Sequence, residues 1–360
     1  MKKLTTIIYK LAWFIAILSF VATILPFITF VKEWYFQIFD FPRLQILILA
    51  LVTALVSTIY YFEYSKKALI PIVLCVLVML YQGYKIFPYT ILHPEQTARS
   101  LRSESESLRV SFLVSNVLMD NDEYEKLEVH INELDPDIVI LLEPDKKWEN
   151  ALKATMQDYQ VVSAPIANTY GMILYSKWPL SDTEIKYLIE DDIPSIFTKV
   201  TKDSLTFQLY SIHPRPPFPT EADDSNERDA EIILTGKEAK KQKLPVIVAG
   251  DFNDVAWSDN TILFQEASGL LDPRVGRGFF STFHANNFIF RWPLDHLFHS
   301  SEFLLVEMKV LDNMGSDHFP IYVELSYEPG NEHKSDPVEQ DEDTAEEAQE
   351  TIIEGQNDTD

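Results

Sequence analysis

Three long apolar runs open the chain, and a different pattern replaces them after residue 107. The runs are Leu11–Val31, broken only by Pro26, then Leu44–Phe62, then Ala68–Tyr84, which can continue through IFPYTIL to Leu92. None contains a charge, and each is about the length that an α-helix needs to cross a bilayer. Tyr and Trp gather at their ends (Trp34, Tyr35, Tyr60, Tyr61, Tyr64, Tyr84, Tyr89), as expected at headgroup level. Three such runs within 92 residues argue against a soluble core. VATILPF is a poor cleavage site, which argues against a signal peptide. The pattern predicts a membrane domain over residues 1–92 with three transmembrane helices.

Basic residues set the expected orientation. Lys2, Lys3 and Lys10 flank the first span, and Lys66 and Lys67 lie between the second and third. In the connection between the first two spans, Lys32 and Arg43 are offset by Glu33 and Asp40. The excess of Lys and Arg on cytoplasmic loops puts the N-terminus inside, so everything after residue 92 is outside.

HPEQTARSLRSESESL has no hydrophobic period and reads as a polar linker over residues 93–107. From Leu108 the pattern becomes short β-type runs: RVSFLVSN, DIVILLEP, GMILYS, SIFTKV, LTFQLYSIHP, LPVIVAGDFN, PLDHLFHS, FLLVEMKVL and HFPIYVELSY. Between them, Tyr124–Leu134 and Arg228–Gln242 have helical spacing. Many strands with a few helices predict an α+β domain over 108–327, with two packed sheets flanked by helices. Residues 328–360 hold 13 Asp+Glu and one Lys with few large apolar side chains, which predicts a disordered acidic tail.

Charge narrows the partners. Residues 109–327 contain 19 Lys+Arg and 36 Asp+Glu, so this part alone carries 19 − 36 = −17. Such a field disfavours gripping a polyphosphate chain, though not a small phosphoester bridged by a metal ion. The single cysteine, Cys75, excludes a disulfide within the chain.

The candidate chemistry sits at the ends of the apolar runs. Asn116 closes VSFLVSN, Glu143 closes IVILLE, His213 closes LYSIH, and Asp251 and Asn253 close VIVAGDFN. Asp295 and His296 lie in WPLDHLF, and Asp317 and His318 precede FPIYVEL. Taken singly, each has a plain reading as an Asx-turn, a cap or a structural hydrogen-bonder. Taken together, they suggest one polar site at one edge of the sheets, carried on loops held by a rigid scaffold.

The order Asn…Glu…His…Gly-Asp-x-Asn…Asp…Ser-Asp-His resembles the endonuclease/exonuclease/phosphatase superfamily over roughly residues 108–327. GDFN (Gly250–Asn253) and GSDHFPI (Gly315–Ile321) are its sharpest motifs. It is similar in particular to a bacterial branch with N-terminal membrane helices, so the expected site is the bacterial cytoplasmic (inner) membrane, with the catalytic domain extracytoplasmic by the Lys and Arg distribution. The resemblance implies a four-layered α/β sandwich whose two sheets are mostly antiparallel. It also implies a divalent metal, Mg²⁺ with Mn²⁺ as a possible substitute, on Glu143, with Asp317 supporting the metal side. Asp251 is then the base that orients water, Asn253 and Asn116 are the amides beside the phosphoryl group, and His318 contacts phosphate with Asp295 behind it. His213 matches a phosphate-contacting position, and Arg228 and Tyr175 are further substrate-side candidates. Gly250 is expected to give room for close approach, and Asp254 reads as a plain solvent-facing cap. Where many relatives carry a second acid, this chain has Leu118, which favours a one-metal site.

The expected activity is hydrolysis of a small or lipid-linked phosphoester, as a phosphodiesterase or phosphatase at the bilayer. An extracytoplasmic DNA/RNA nuclease is the alternative, and a membrane-anchored binding or sensor module with a vestigial site is the alternative of another class. The aromatic stretch FFSTFHANNFIFRW could stack bases, touch lipid or form hairpin core.

Overall fold

A computed structural model describes residues 2–27, 34–101, 108–218, 222, 224–331, 335, 338 and 342–358. The chain divides into two compact units, Met1–His93 and Pro94–Asp360.

The first unit holds α1 (Lys2–Ile24), a single turn α2 (Trp34–Gln37), α3 (Arg43–Glu63) and α4 (Leu69–Ile86). Three helical segments are long and apolar enough to cross a membrane: Lys3–Phe27, Arg43–Glu63 and Lys66–Tyr89, with mean hydropathies of 2.1, 2.0 and 1.9. Small residues line the helix contacts, including Ala16, Ala22, Ala50, Ala54 and Cys75, so the backbones approach closely. Larger apolar side chains such as Ile59, Leu55 and Leu80 point outward. One buried polar chain ties the helices together. Gln82 Nε2 donates to Thr23 Oγ1 at 3.0 Å, Arg43 Nη1 donates to Gln82 Oε1 at 3.1 Å, and Arg43 also pairs with Asp40. Lys32 and Glu33, used in the orientation argument, lie outside the described residues.

The second unit is built on two sheets. The first sheet has the order β10-β11-β1-β2-β4-β3, from β1 (Leu108–Asn116), β2 (Ile138–Leu142), β3 (Gln160–Ala164), β4 (Met172–Ser176), β10 (Phe303–Val310) and β11 (Ile321–Tyr327). The second has the order β5-β6-β7-β8-β9, from β5 (Leu180–Lys186), β6 (Ser195–Lys202), β7 (Leu205–Ile212), β8 (Val246–Asp251) and β9 (Asp295–His299). Each sheet is antiparallel except for one parallel pair, β1 with β2 and β7 with β8.

Strand parity sorts the core into layers. Val110, Phe112 and Val114 of β1 meet Phe207, Leu209, Ile247 and Leu297 between the sheets. The alternate residues Leu113, Val139, Leu141 and Ile173 face α5 (Tyr124–Leu134) and α6 (Lys146–Ala151). On the far side Tyr210, Ile212, Val248 and Phe298 meet α7 (Asn226–Lys240) and α8 (Asp259–Ser268). Because both sheets are covered on both faces, their central strands read as continuous apolar runs rather than alternating ones. The result is helix, sheet, sheet, helix: a four-layered sandwich.

Two expectations change here. The acidic tail is not wholly disordered: Glu342–Asp358 forms α9, and its Ala348 and Ile352 are buried in the α7–α8 layer. A narrow apolar stripe on an otherwise charged helix suffices where a neighbouring helix offers its flank. Gly355 marks the closest approach, since a Cβ there would lie 2.4 Å from Ala230 Cβ and 2.5 Å from Asn226 O. The linker also differs, because its first residues belong to the second unit. Leu305 N donates to Ala98 O, and Ser100 N to Leu305 O, both at 2.9 Å, while Gln96 Oε1 accepts from Asp272 N at 2.8 Å. Residues 102–107 of the linker lie outside the described residues.

Candidate active site

The topology gathers the polar strand ends at one edge. β1 and β2 run parallel, so Asn116 at the end of β1 and Glu143 just past β2 emerge together. β7 and β8 do the same for His213 and Asp251. The antiparallel neighbours begin where these strands finish: Asp295 pairs with Asp251, and Ile321, three residues after His318, pairs with Val114. Active-site groups are commonly found outside the carboxyl ends of parallel strands.

Asp251 is the hub. Its Oδ1 accepts from the backbone N–H of Asn253 at 2.9 Å, which fixes the carboxylate plane. Its Oδ2 accepts from Asn116 Nδ2 at 3.2 Å and lies 3.6 Å from His318 Nε2 and 3.9 Å from His213 Nε2. Asn116 is oriented by its own chain, because Leu118 N donates to its Oδ1 at 3.0 Å. That leaves its NH₂ to bridge Asp251 and Glu143, whose Oε1 accepts at 2.7 Å. Glu143 and Asn253 both hold left-handed backbone, with φ 61° and 51°. Such conformations are costly for residues with a Cβ and gather at functional sites.

His318 Nδ1 bonds Asp295 Oδ2 at 2.8 Å, with both side chains buried. Burial opposes a charged imidazole, but the Asp295 and Asp251 carboxylates outweigh it and lift His318 to about 10. His318 therefore carries its proton at neutral pH, with an N–H on both nitrogens: one bonded to Asp295, the other facing Asp251. His213 goes the other way: burial lowers its pKa, against the pull of Asp251, and the ring stays neutral. Burial pushes Glu143 up to about 7, Asn116 and His318 pull it back, and the Asp251 and Asp317 charges add to the rise.

Asp251, Asp295 and His318 also lie close enough together to suggest a metal cluster. The hydrogen bonding argues otherwise, since an imidazolium paired to a carboxylate at 2.8 Å has no lone pair to give. Glu143 fits a hard cation better. It is an oxygen ligand at the edge where the strands end; burial is the main cause of its raised pKa, and the Asp251 and Asp317 carboxylates add negative charge beside it that a divalent ion would relieve.

Asp317, half-buried, is near enough for its charge to act on Glu143 and His318, and its carbonyl accepts from Ala285 N at 2.6 Å. Asn253 turns its Nδ2 to Pro214 O at 3.0 Å, so the amide also ties β8 to the stretch after His213.

Two substrate-side candidates lie elsewhere. Tyr175 shares the parity of Ile173 and packs in the layer under α5 and α6, with burial pushing its phenol up to about 12. Arg228 stands behind the turn rather than in front of it. Its Nη1 donates to Asn253 O at 2.9 Å, and its other nitrogens pair with Asp229 at 2.7 Å and approach Asp254 to 3.7 Å.

Asp254 and Gly250 also take different roles from those expected. Asp254 is a buried brace, not a solvent-facing cap: it accepts from Ser258 Oγ at 2.6 Å and Val255 N at 2.8 Å. A Cβ on Gly250 would fall 1.9 Å from Ile212 O, so the neighbouring strand's backbone, not a substrate, demands glycine there.

Further side chains support the site, in roles the sequence reading did not assign. Ser316 Oγ donates to Asn116 O at 2.8 Å and accepts from His318 N at 3.0 Å, joining the two halves of the site. Thr282 Oγ1 accepts from Asp295 N at 3.2 Å. His296, on the opposite face of β9 from Asp295, is wedged between Asp254 O at 2.9 Å and Arg274 at 2.5 Å. Ser316 and His296 stand inside the GSDH and WPLDH stretches, whereas Thr282 has no signal in the sequence.

The sequence pattern described as the Endonuclease/Exonuclease/phosphatase family matches residues 113–318, more than half of the chain, from within β1 to His318. The chain belongs to this family. No curated protein sequence matches it. Solved structures share the fold at low identity. Zebrafish (D. rerio) TDP2 complexed with a single-strand DNA product is 17% identical, with a TM-score of 0.52 over 60% of this chain and 98% of that one. Family proteins from Bacteroides thetaiotaomicron (19% identity, TM-score 0.51, 62% and 99% covered) and Bacteroides vulgatus (18%, 0.50, 61% and 100%) are similar to the same extent. These likenesses take in nearly the whole of each solved structure but only about three fifths of this chain.

Proposed function

We propose that the chain is a membrane-anchored, divalent-metal-dependent hydrolase of small or lipid-linked phosphoesters. The observation that carries this reading is the convergence of Asn116, His213 and His318 on one oxygen of Asp251, with Glu143 alongside. Asp251 is the base: its fixed carboxylate aligns a water for in-line attack on phosphorus and takes its proton as the P–O bond to the leaving group breaks. The 3.6 and 3.9 Å separations to the two imidazoles are too long for direct hydrogen bonds but fit an oxygen held between the groups. His318, kept charged by Asp295, offers Nε2–H to a phosphoryl oxygen. Asn116 supplies a neutral donor, and His213 a neutral imidazole that adds no second positive charge. A Mg²⁺ ion on Glu143, supported by Asp317, would neutralise charge on the phosphoryl oxygens as a Lewis acid. Alignment and charge neutralisation are what phosphoryl transfer requires.

Three apolar helices and the distribution of Lys and Arg around them support a cytoplasmic-membrane protein, with its N-terminus inside and its catalytic unit outside. The −17 charge of residues 109–327 supports a small or lipid-linked substrate over a nucleic acid. Purified full chain should hydrolyse bis-p-nitrophenyl phosphate with Mg²⁺ or Mn²⁺ and stop with EDTA. Turnover should fall by roughly 10²–10⁴-fold in Asp251→Ala and His318→Ala. Absence of metal-dependent turnover, or turnover in both variants unchanged from the parent, refutes the enzyme reading and leaves the binding-module alternative. Faster cleavage of supercoiled plasmid than of lipid phosphoesters would favour the nuclease.

A further inference from the structure

Beside His318 the chain builds a tight loop whose apex is apolar and exposed. Phe283 and Trp292 close its stem through backbone hydrogen bonds, including Phe283 N to Trp292 O at 3.0 Å. Asn287 Oδ1 then accepts from the backbone N–H groups of both Ile289 and Phe290, at 2.9 and 3.0 Å, which fixes the turn. On this fixed turn Phe288 is 84% exposed, Ile289 53% and Phe290 46%. Ordinary folding physics gives no reason to hold three consecutive large apolar side chains in water on a hydrogen-bonded turn; contiguous exposed apolar surface marks an interaction site.

The flanking residues say which kind. Arg291 bonds the carbonyls of Asn287 at 2.6 Å and Ala285 at 3.4 Å and lies 4.7 Å over the Phe319 ring. Among the described residues no carboxylate neutralises it within ion-pair distance, so its charge can meet phosphate. An apolar tip followed by a cation and a Trp is the order that suits the boundary between acyl chains and headgroups. A polyanionic partner is opposed by the negative field of the unit. The loop is also wired to the chemistry: Phe283 bridges to His318 through its backbone, and their rings lie 4.9 Å apart.

We propose that the Phe288–Phe290 apex enters the outer part of a phospholipid bilayer and presents lipid-linked phosphoesters to His318 and Asp251. This deepens the phosphoesterase reading and rests on it for the substrate, while insertion of the apex stands on the loop alone. The full chain carries it in a setting where it already has three helices able to cross a bilayer.

The test uses full-length protein in phosphatidylcholine nanodiscs, with Cys75→Ser as background and an environment-sensitive NBD label on Phe288→Cys. The label should show blue-shifted emission, quenching by shallow spin-labelled phosphatidylcholine and protection from aqueous iodide. A control label on Glu184→Cys, on an exposed strand, should show the reverse. Iodide quenching at Phe288 without lipid quenching overturns the proposal. In a second arm, Phe288→Ser/Phe290→Ser should lower kcat/KM for dodecyl p-nitrophenyl phosphate in phosphatidylcholine vesicles by roughly tenfold or more, while bis-p-nitrophenyl phosphate turnover is unchanged. Equal loss on both substrates, or no loss on either, also overturns it. If the parent protein hydrolyses neither substrate, the phosphoesterase reading fails, and the label still decides whether the apex enters lipid.

Discussion

Replacing Glu231 by glutamine should stabilise the second unit, and only when the pH is above the ordinary range of a glutamate. Glu231 lies on the buried face of α7, where its Oε1 accepts from Ser195 Oγ at 2.7 Å. Burial raises its carboxyl to about 7, with Ser195 pulling down and Glu190 pushing up. In the unfolded chain the same group titrates at its ordinary 4.5. The folded state thus binds the extra proton between these values, so stability falls as pH rises from 4.5 to about 7 and is level beyond. The gap is about 2.5 pH units, and at about 1.36 kcal/mol each it amounts to roughly 3.4 kcal/mol. Glutamine keeps an oxygen for Ser195 but does not ionise. Urea unfolding of the full chain in non-ionic detergent, followed by Trp fluorescence, should give similar midpoints for Glu231→Gln and parent near pH 4.5. At pH 8 the variant should be more stable by roughly 3 kcal/mol. A difference that stays constant across that range would show that Glu231 is not held protonated by burial, and would refute the reasoning.

Four more outcomes follow from the packing around the site. Arg228→Met keeps the buried stem but strips the charge facing Asp229 and Asp254, and should cost about 3–5 kcal/mol in the same urea assay, with turnover falling as the Asn253 turn loosens. Tyr175→Phe should leave kcat and KM of bis-p-nitrophenyl phosphate hydrolysis unchanged, because its hydroxyl faces the helical layer. Gly355→Ala forces α9 away from Asn226 and Ala230, and should lower the thermal midpoint by an amount equivalent to about 1–3 kcal/mol. Gln82→Leu removes both hydrogen bonds linking Thr23 to Arg43 and should destabilise the three-helix unit by about 0.6–2 kcal/mol, read by titration with SDS.

The site was more legible in the sequence than the scaffold around it, for a physical reason. A strand buried on both faces is an unbroken apolar run, so a carboxylate or amide at its end stands out, as Asn116, Glu143 and Asp251 do. β3 and β5 gave no such signal, because they are edge strands with largely exposed side chains such as Gln160, Val161 and Glu184. Tyr175 shows a subtler limit. Alternation in GMILYS separates Met172 and Leu174 from Ile173 and Tyr175, but which of the two faces meets the second sheet depends on strands elsewhere in the chain. α9 was invisible because its burial depends on two apolar residues and a glycine that fits against α7, not on composition. Asp254 was misjudged for the opposite reason: its partner Arg228 comes from a separate helix, 26 positions earlier in the chain.

The pairing of β1 with β11, from Leu108↔Tyr327 to Val114↔Ile321, has a bearing on how the protein is made. The strand at the centre of the first sheet emerges from the ribosome long before its neighbour. Until then β1 has one open edge, and the His318 side of the site does not exist. Contacts so distant in sequence form slowly. If the second unit crosses the membrane during synthesis, it must do so before this pair can close, and the finished sheet then holds the exported chain in place.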